Sequence, residues 1–201
     1  MTMMLLIRHG QTDWNVEARY QGQTDVPLNA AGVQQAQALA AELSGQHFDA
    51  VFSSPLQRAR LTARIIADEL LLSVQIDERL IEIHQGKWEG EIYNDLLVRF
   101  PEEMRARRED PYRFRPPEGE SAAEVAARVA RAADDIARLY PGGRVVVVSH
   151  ALTLAALYCQ ANQLPLGQVY DHLPRNAHPV AIEWPPAPMN PKDIAPHPTV
   201  N

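Results

Sequence analysis

Four consecutive valines, Val145 to Val148, stand between Pro141-Gly142-Gly143 and Ser149-His150, and this run constrains the fold more than any other stretch. A β-branched run without alternation suits a strand covered on both faces. Such strands belong to largely parallel sheets with helices on either side. The rest of the sequence keeps that rhythm. Met3 to Ile7 is a short apolar run ended by polar residues and Gly10, the pattern of a buried strand spilling into a loop. Asn29 is placed to cap a helix over about 30–43 with Val33, Ala36, Leu39, Ala40 and Leu43 on one face. Residues 50–53 form a second strand, after which Ser54 caps and Pro55 opens a helix to about 71. Residues 73–77 form a third strand.

A short helix near 92–100 and an arginine- and proline-rich stretch make 91–120 an excursion from this alternation. Ser121 with Glu124 is a capping-box signature for a long helix ending near Tyr140. The valine strand, a helix over about 151–161 and a last strand over 180–184 complete the pattern. The expected fold class is α/β, a three-layer α/β/α sandwich with a mostly parallel central sheet and a small insertion over the active site. One domain over 1–184 carries it, and 185–201 is a proline-rich tail expected to be mobile or laid on the surface.

Composition narrows the function. At 201 residues and 46% hydrophobic content the chain supports a sizeable core, and its formal charge of -6 excludes a general nucleic-acid binder. Cys159, the only cysteine, excludes an internal disulfide and any multi-cysteine metal site. No apolar run is long enough to span a bilayer, and nothing resembles a signal peptide, so no membrane partner and a cytoplasmic location are expected.

Side chains placed just after separate parallel strands meet in one crevice. Here these are Arg8 and His9 after the first strand, Arg58 in the first turn after the second, Glu82 after the third and His150 after the valines. Two imidazoles, two guanidiniums and one carboxylate suit phosphoryl transfer without a metal. A neutral imidazole attacks phosphorus, cations hold the equatorial oxygens, and a carboxyl gives and later takes the proton. Gly10 lets the backbone come close to the phosphoryl group. Glu78 and Glu89 bracket Glu82 and compete for the acid role. Arg60 and Arg64 lie too far along their helix to reach the crevice. His84, His172, His178 and His197 lack metal-ligand spacing. The cluster Arg105, Arg107, Arg108, Arg113 and Arg115, interleaved with Tyr112 and Phe114, reads either as a lid for an anionic substrate or as a solvated surface paired with Glu102, Glu103 and Glu109.

The chain also resembles the histidine phosphatase superfamily in its phosphoglycerate-mutase-like branch. The resemblance runs from Leu5 to about Trp184, through Arg8-His9-Gly10-Gln11-Thr12 with Trp14-Asn15, the stretch from Gly22 to Gly32, and Ser53-Ser54-Pro55-Leu56-Gln57-Arg58. It continues in Leu80-Ile81-Glu82, Gly86-Lys87-Trp88-Glu89-Gly90, Gly119-Glu120-Ser121 and Val148-Ser149-His150. It implies that His9 is the transiently phosphorylated nucleophile, that Arg8, Arg58 and His150 hold the phosphoryl group, and that Glu82 is the proton donor. It further implies substrate contacts from Asn15, Gln21, Gly22, Thr24 and Ala151, the last standing where the family commonly has glycine. No metal or organic cofactor is implied. The short excursion leaves the site open to water, which favours a phosphatase of small phosphomonoesters. The alternatives are a cofactor-dependent phosphoglycerate mutase and a non-catalytic binder of phosphorylated ligands.

Overall fold

A computed structural model describes residues 1–186. Five strands, β1 (Thr2–Arg8), β2 (Ala50–Ser53), β3 (Val74–Ile76), β4 (Arg144–Ser149) and β5 (Pro179–Trp184), form one sheet in the order β3-β2-β4-β1-β5. All neighbours are parallel except β5, which runs antiparallel to β1. The valine strand β4 sits at the centre of the sheet, with Val147 paired to Leu6 on one side and Phe52 on the other.

The pleat sorts its valines between two cores. Val145 and Val147 join Met4, Leu6 and Phe52 under α6 (Ala122–Leu139) and α7 (Ala151–Ala161). Val146 and Val148 join Ile7 and Val51 under α2 (Ala30–Leu43) and α3 (Gln57–Glu69). That period-two division makes the three layers. Asn29 caps α2 by accepting from Gly32 N–H, and the Ser121/Glu124 capping box opens α6, both as the sequence predicts.

Two expectations are corrected. The helix after β2 starts at Gln57, with Leu56 rather than Ser54 at its cap position. The Ser54 hydroxyl is engaged by Leu56 N–H and by His150, and so belongs to the turn before the helix. The excursion holds not one helix but two, α4 (Tyr93–Arg99) and α5 (Pro101–Glu109). The second carries a legible start signal: proline at its first position, Glu102 and Glu103 in the first turn, and Arg107 and Arg108 in the last, matching the helix dipole. A third core of Trp88, Leu96 and Met104, edged by Tyr20, Tyr93, Phe100 and Phe114, fastens this insertion to the body.

From β1 the chain passes the one-turn helix α1 (Asp13–Val16) and crosses to β2 through α2 on one face, whereas from β4 it leaves for β5 through α7 on the other. Neighbouring strands whose connections depart to opposite sides open a crevice beyond their carboxyl ends. Among the described residues no helix is long and apolar enough to cross a membrane. The proline-rich tail lies, from residue 187 on, outside the described residues.

Candidate active site

The crevice between β1 and β4 opens into a cavity of about 170 Å³. Its walls include Arg8, His9, Asn15, Gln21, Gly22, Arg58, Glu82 and Ala151. His9 is fixed at both ends of its peptide: its N–H donates to Ser149 O at 3.0 Å, and its carbonyl accepts from Asn176 Nδ2 at 2.8 Å. Its ring Nδ1 lies 2.7 Å from Gly10 O. A carbonyl only accepts, so Nδ1 carries the proton and Nε2 keeps its lone pair. Burial, helped by Arg58 and Arg8, holds this imidazole well below its ordinary pKa, which keeps it neutral and nucleophilic.

Gly10 has a second reason to be glycine besides the close approach expected from the sequence. A Cβ there would stand 2.3 Å from Gly32 O, so close packing of two backbones requires the glycine.

Two of the arginines that line the cavity, Arg8 and Arg58, are held by backbone carbonyls. Arg58 Nη1 and Nη2 donate to Thr24 O at 2.7 Å and Gly22 O at 2.8 Å, and Arg8 Nη1 donates to Pro174 O at 3.0 Å. The Nε–H of each is buried without a protein partner. Burial lowers both guanidiniums, Arg58 to about 10, which still leaves them charged at neutral pH. His150 is buried behind the cavity wall rather than lining it, its ring 5.2 Å from that of His9. Its Nε2 is 2.6 Å from Ser54 Oγ. Because Ser54 already accepts from Leu56 N–H, we assign the hydroxyl proton to the bond with Nε2, which places the imidazole proton on Nδ1, also buried and unpartnered. Burial, Arg58, His9 and Arg8 hold this ring well below its ordinary value too. The second histidine is therefore a neutral donor here, not the imidazolium that phosphoryl chemistry alone would suggest. Three buried N–H groups, on Arg8, Arg58 and His150, are left without a protein acceptor. Each such group costs about 1–3 kcal/mol, which a tetrahedral oxyanion would recover.

Glu82 is the only carboxylate among the residues that line this cavity. Its Oε1 accepts from Ile83 N–H, Thr153 N–H and Thr153 Oγ1 at 2.9–3.2 Å, whereas Oε2 takes only Leu152 N–H at 3.3 Å. Oε2 is therefore the less engaged of the two oxygens. The two neighbouring carboxylates lie outside the cavity wall. Glu78 is exposed on a short 3₁₀ turn, and Glu89 is committed to Gln23 N–H, Thr24 N–H and the Thr24 hydroxyl. Thr24 thus does not line the cavity; its side chain faces Glu89 and its carbonyl supports Arg58. Gly22 does line it, at φ +50°, where a Cβ would meet Glu89 Oε1 at 2.2 Å. Asn15 turns its Oδ1 toward Thr12 N–H and Asn176 Nδ2, which orients its amide nitrogen as a donor.

Sequence reasoning missed several supports. Ser54 reads as a helix cap yet sets the proton position of His150. Arg128, on α6, binds the carbonyls of Arg79 and Glu82 at 2.7 and 3.0 Å and so fixes the acid segment. Glu120 pairs with Arg128 and accepts from His84 N–H, which gives the Gly119-Glu120-Ser121 motif its work. Tyr20 and Arg107 also line the cavity, and only the arginine cluster hinted at the second. Arg60 and Arg64 line a separate surface groove, as their helical position predicts.

The sequence profile of the histidine phosphatase superfamily (branch 1) matches residues 4–190. The chain belongs to this superfamily. Phosphoserine phosphatase 1 of Hydrogenobacter thermophilus is 39% identical to this histidine phosphatase over 159 residues, 79% of this chain and 75% of that one. A probable phosphoglycerate mutase of Serratia proteamaculans is 35% identical over 165 residues, 82% and 77% of the two chains. Among solved structures, a mycobacterial glucosyl-3-phosphoglycerate phosphatase in complex with VO3 superposes with a TM-score of 0.83 at 34% identity, covering 89% of this chain and 91% of that one.

Proposed function

We propose that this histidine phosphatase hydrolyses small phosphomonoesters through a phosphohistidine on His9. The observation that carries the reading is the Nδ1–H bond from His9 to Gly10 O, which leaves a neutral Nε2 in a cavity walled by Arg8, Arg58 and Glu82. Nε2 attacks phosphorus and the P–O ester bond breaks. The leaving alkoxide takes the proton held on Glu82, while Arg8, Arg58 and His150 Nδ1–H hold the equatorial oxygens. Glu82, now a carboxylate, accepts a proton from water as that water attacks the phosphohistidine. The N–P bond breaks, inorganic phosphate leaves, and both side chains return to their starting states. A donor removed from such a clamp costs about 10²–10³ in kcat.

Hydrolysis is favoured over mutase action by access to water. Arg8, Gln21, Glu82 and Arg107 are half-buried rather than sealed, so the phosphoenzyme is within reach of solvent. We assign the enzyme to the cytoplasm, where phosphorylated metabolites are retained by their charge.

The test uses a ³²P-labelled phosphomonoester. Quenching at alkaline pH during turnover traps an acid-labile label on the wild-type protein and none on His9→Ala, whose rate falls by about 10⁴-fold or more. Full-speed release of phosphate by His9→Ala would overturn the reading. Incubation with 3-phosphoglycerate and its bisphosphate primer releases free phosphate; accumulation of the 2-isomer instead would make the chain a mutase.

A further inference from the structure

One guanidinium in the cavity is left over once the phosphoryl group is provided for. Of the four arginines in its walls, Arg8 and Arg58 belong to the clamp. Arg19 is tied to Glu17 at 2.9 Å and to Gly90 O, and lies over Trp14. Arg107 remains. It reaches the cavity from α5, flanked by the rings of Tyr170 and Tyr20 at 4.2 and 5.2 Å. Its helix neighbours Arg105 and Arg108 face Glu102 and Asp171, whereas Arg107 forms no ion pair with a carboxylate among the described residues. Aromatic contacts on two sides and a hydrogen bond to the Tyr170 hydroxyl hold the guanidinium in place and engage only part of its five-donor fork.

Beside it, the Tyr20 hydroxyl is buried with no hydrogen-bond partner. Burial pushes its pKa up to about 12, so it stays protonated and available as a donor. Glu82 is the only carboxylate in the walls, so among the described lining residues no second carboxylate stands beside Arg107 and Tyr20.

We propose that Arg107 and Tyr20 form a second anion subsite, and that the substrate is a phosphomonoester of a short alcohol that also carries a carboxylate. The proposal rests on the hydrolase reading given above. One planar fork with one neutral hydroxyl matches a single negative charge, in contrast to the two guanidiniums and the imidazole set around a phosphoryl dianion. A cavity of about 170 Å³ suits an acid of a few carbons.

Two substrate pairs isolate the carboxylate: 3-phosphoglycerate against glycerol 3-phosphate, and phosphoserine against phosphoethanolamine. For the wild-type protein kcat/KM is expected to favour the carboxylated member of at least one pair by about 10- to 100-fold. Arg107→Gln collapses that ratio toward one, Tyr20→Phe lowers it by a smaller factor, and Arg107→Lys keeps part of it because the charge remains. An aryl phosphate, assayed alongside, reports whether each variant still folds and turns over. A wild-type ratio near one in both pairs, or a ratio that Arg107→Gln leaves unchanged, overturns the subsite. Failure of the wild-type protein to hydrolyse every phosphomonoester, the aryl ester included, overturns the hydrolase reading and the subsite with it.

Discussion

The two sides of the cavity are built differently. On the sheet side, each functional group is fixed by bonds that leave little freedom: His9 by Ser149, Asn176 and Gly10, Arg58 by Gly22 and Thr24, and His150 by Ser54. Arg58 and His150 are almost wholly buried. On the insertion side, Arg107 is held by the rings of Tyr170 and Tyr20, the latter packed on the edge of a small aromatic core. The contrast follows from what each side has to do. Groups that meet charge developing at phosphorus gain most from being fixed before the reaction. Groups that recognise the rest of a substrate need only be nearby and complementary, and a surface insertion supplies them without disturbing the sheet.

If that division holds, damage to the sheet side has the larger effect. Arg58→Gln removes a clamp cation and leaves the carbonyls of Gly22 and Thr24 without their buried partner. Its kcat is expected to fall by about 10²–10³-fold on every phosphomonoester, measured by steady-state kinetics. A loss confined to one substrate would show that Arg58 acts in recognition instead. Ser54→Ala tests a finer element. Without the hydroxyl at 2.6 Å, His150 is free to exchange its ring proton between nitrogens, and kcat should drop about tenfold while KM changes little.

Much of this architecture was readable in the sequence, because the elements that carry it obey simple periods. The valine run reported its own double burial, and Asn29, Ser121 and Glu124 reported their caps. His9, Arg58 and His150 could be placed because residues just beyond parallel strands must converge. What escaped were bonds between groups far apart in the chain. Nothing local says that Ser54 faces His150 across 96 positions, or that Arg128 reaches back to the Glu82 carbonyl. Gly10 was legible as a site of close approach, but the backbone that approaches it, that of Gly32, was not. Arg107 stood in a visible cluster, yet which of five arginines would face inward depended on how α5 packs against the body, which its own start signal does not encode.

The buried histidines also make the sheet side sensitive to acid. His9 and His150 both have folded-state pKa values well below 6.5, so below about pH 6.5 the unfolded chain binds protons that the folded protein refuses. Stability therefore rises with pH through this window and no longer depends on these groups above it. Thermal melts of the wild-type protein should show Tm falling as pH drops below about 6.5. His150→Asn should flatten that slope, and an unchanged slope would mean that its imidazole is not held neutral. The acid limb of kcat/KM set by His9 should likewise lie below its ordinary value, since only the unprotonated ring attacks.

The smallest effect is expected on the insertion side, two positions from Arg107. Arg105 faces solvent, with Glu102 and Glu109 for partners and no place in the cavity wall. Exposed pairs of this kind contribute about 0–1 kcal/mol. Arg105→Ala should leave kcat/KM for all four subsite-test substrates within about twofold of the wild-type value, and unfolding free energy within about 0.5 kcal/mol. The same helix would then carry one arginine that chooses the substrate and one that only meets water. A loss of carboxylate preference in Arg105→Ala as large as that in Arg107→Gln would mean instead that the preference arises from the positive field of the whole insertion, and it should then fade with added salt.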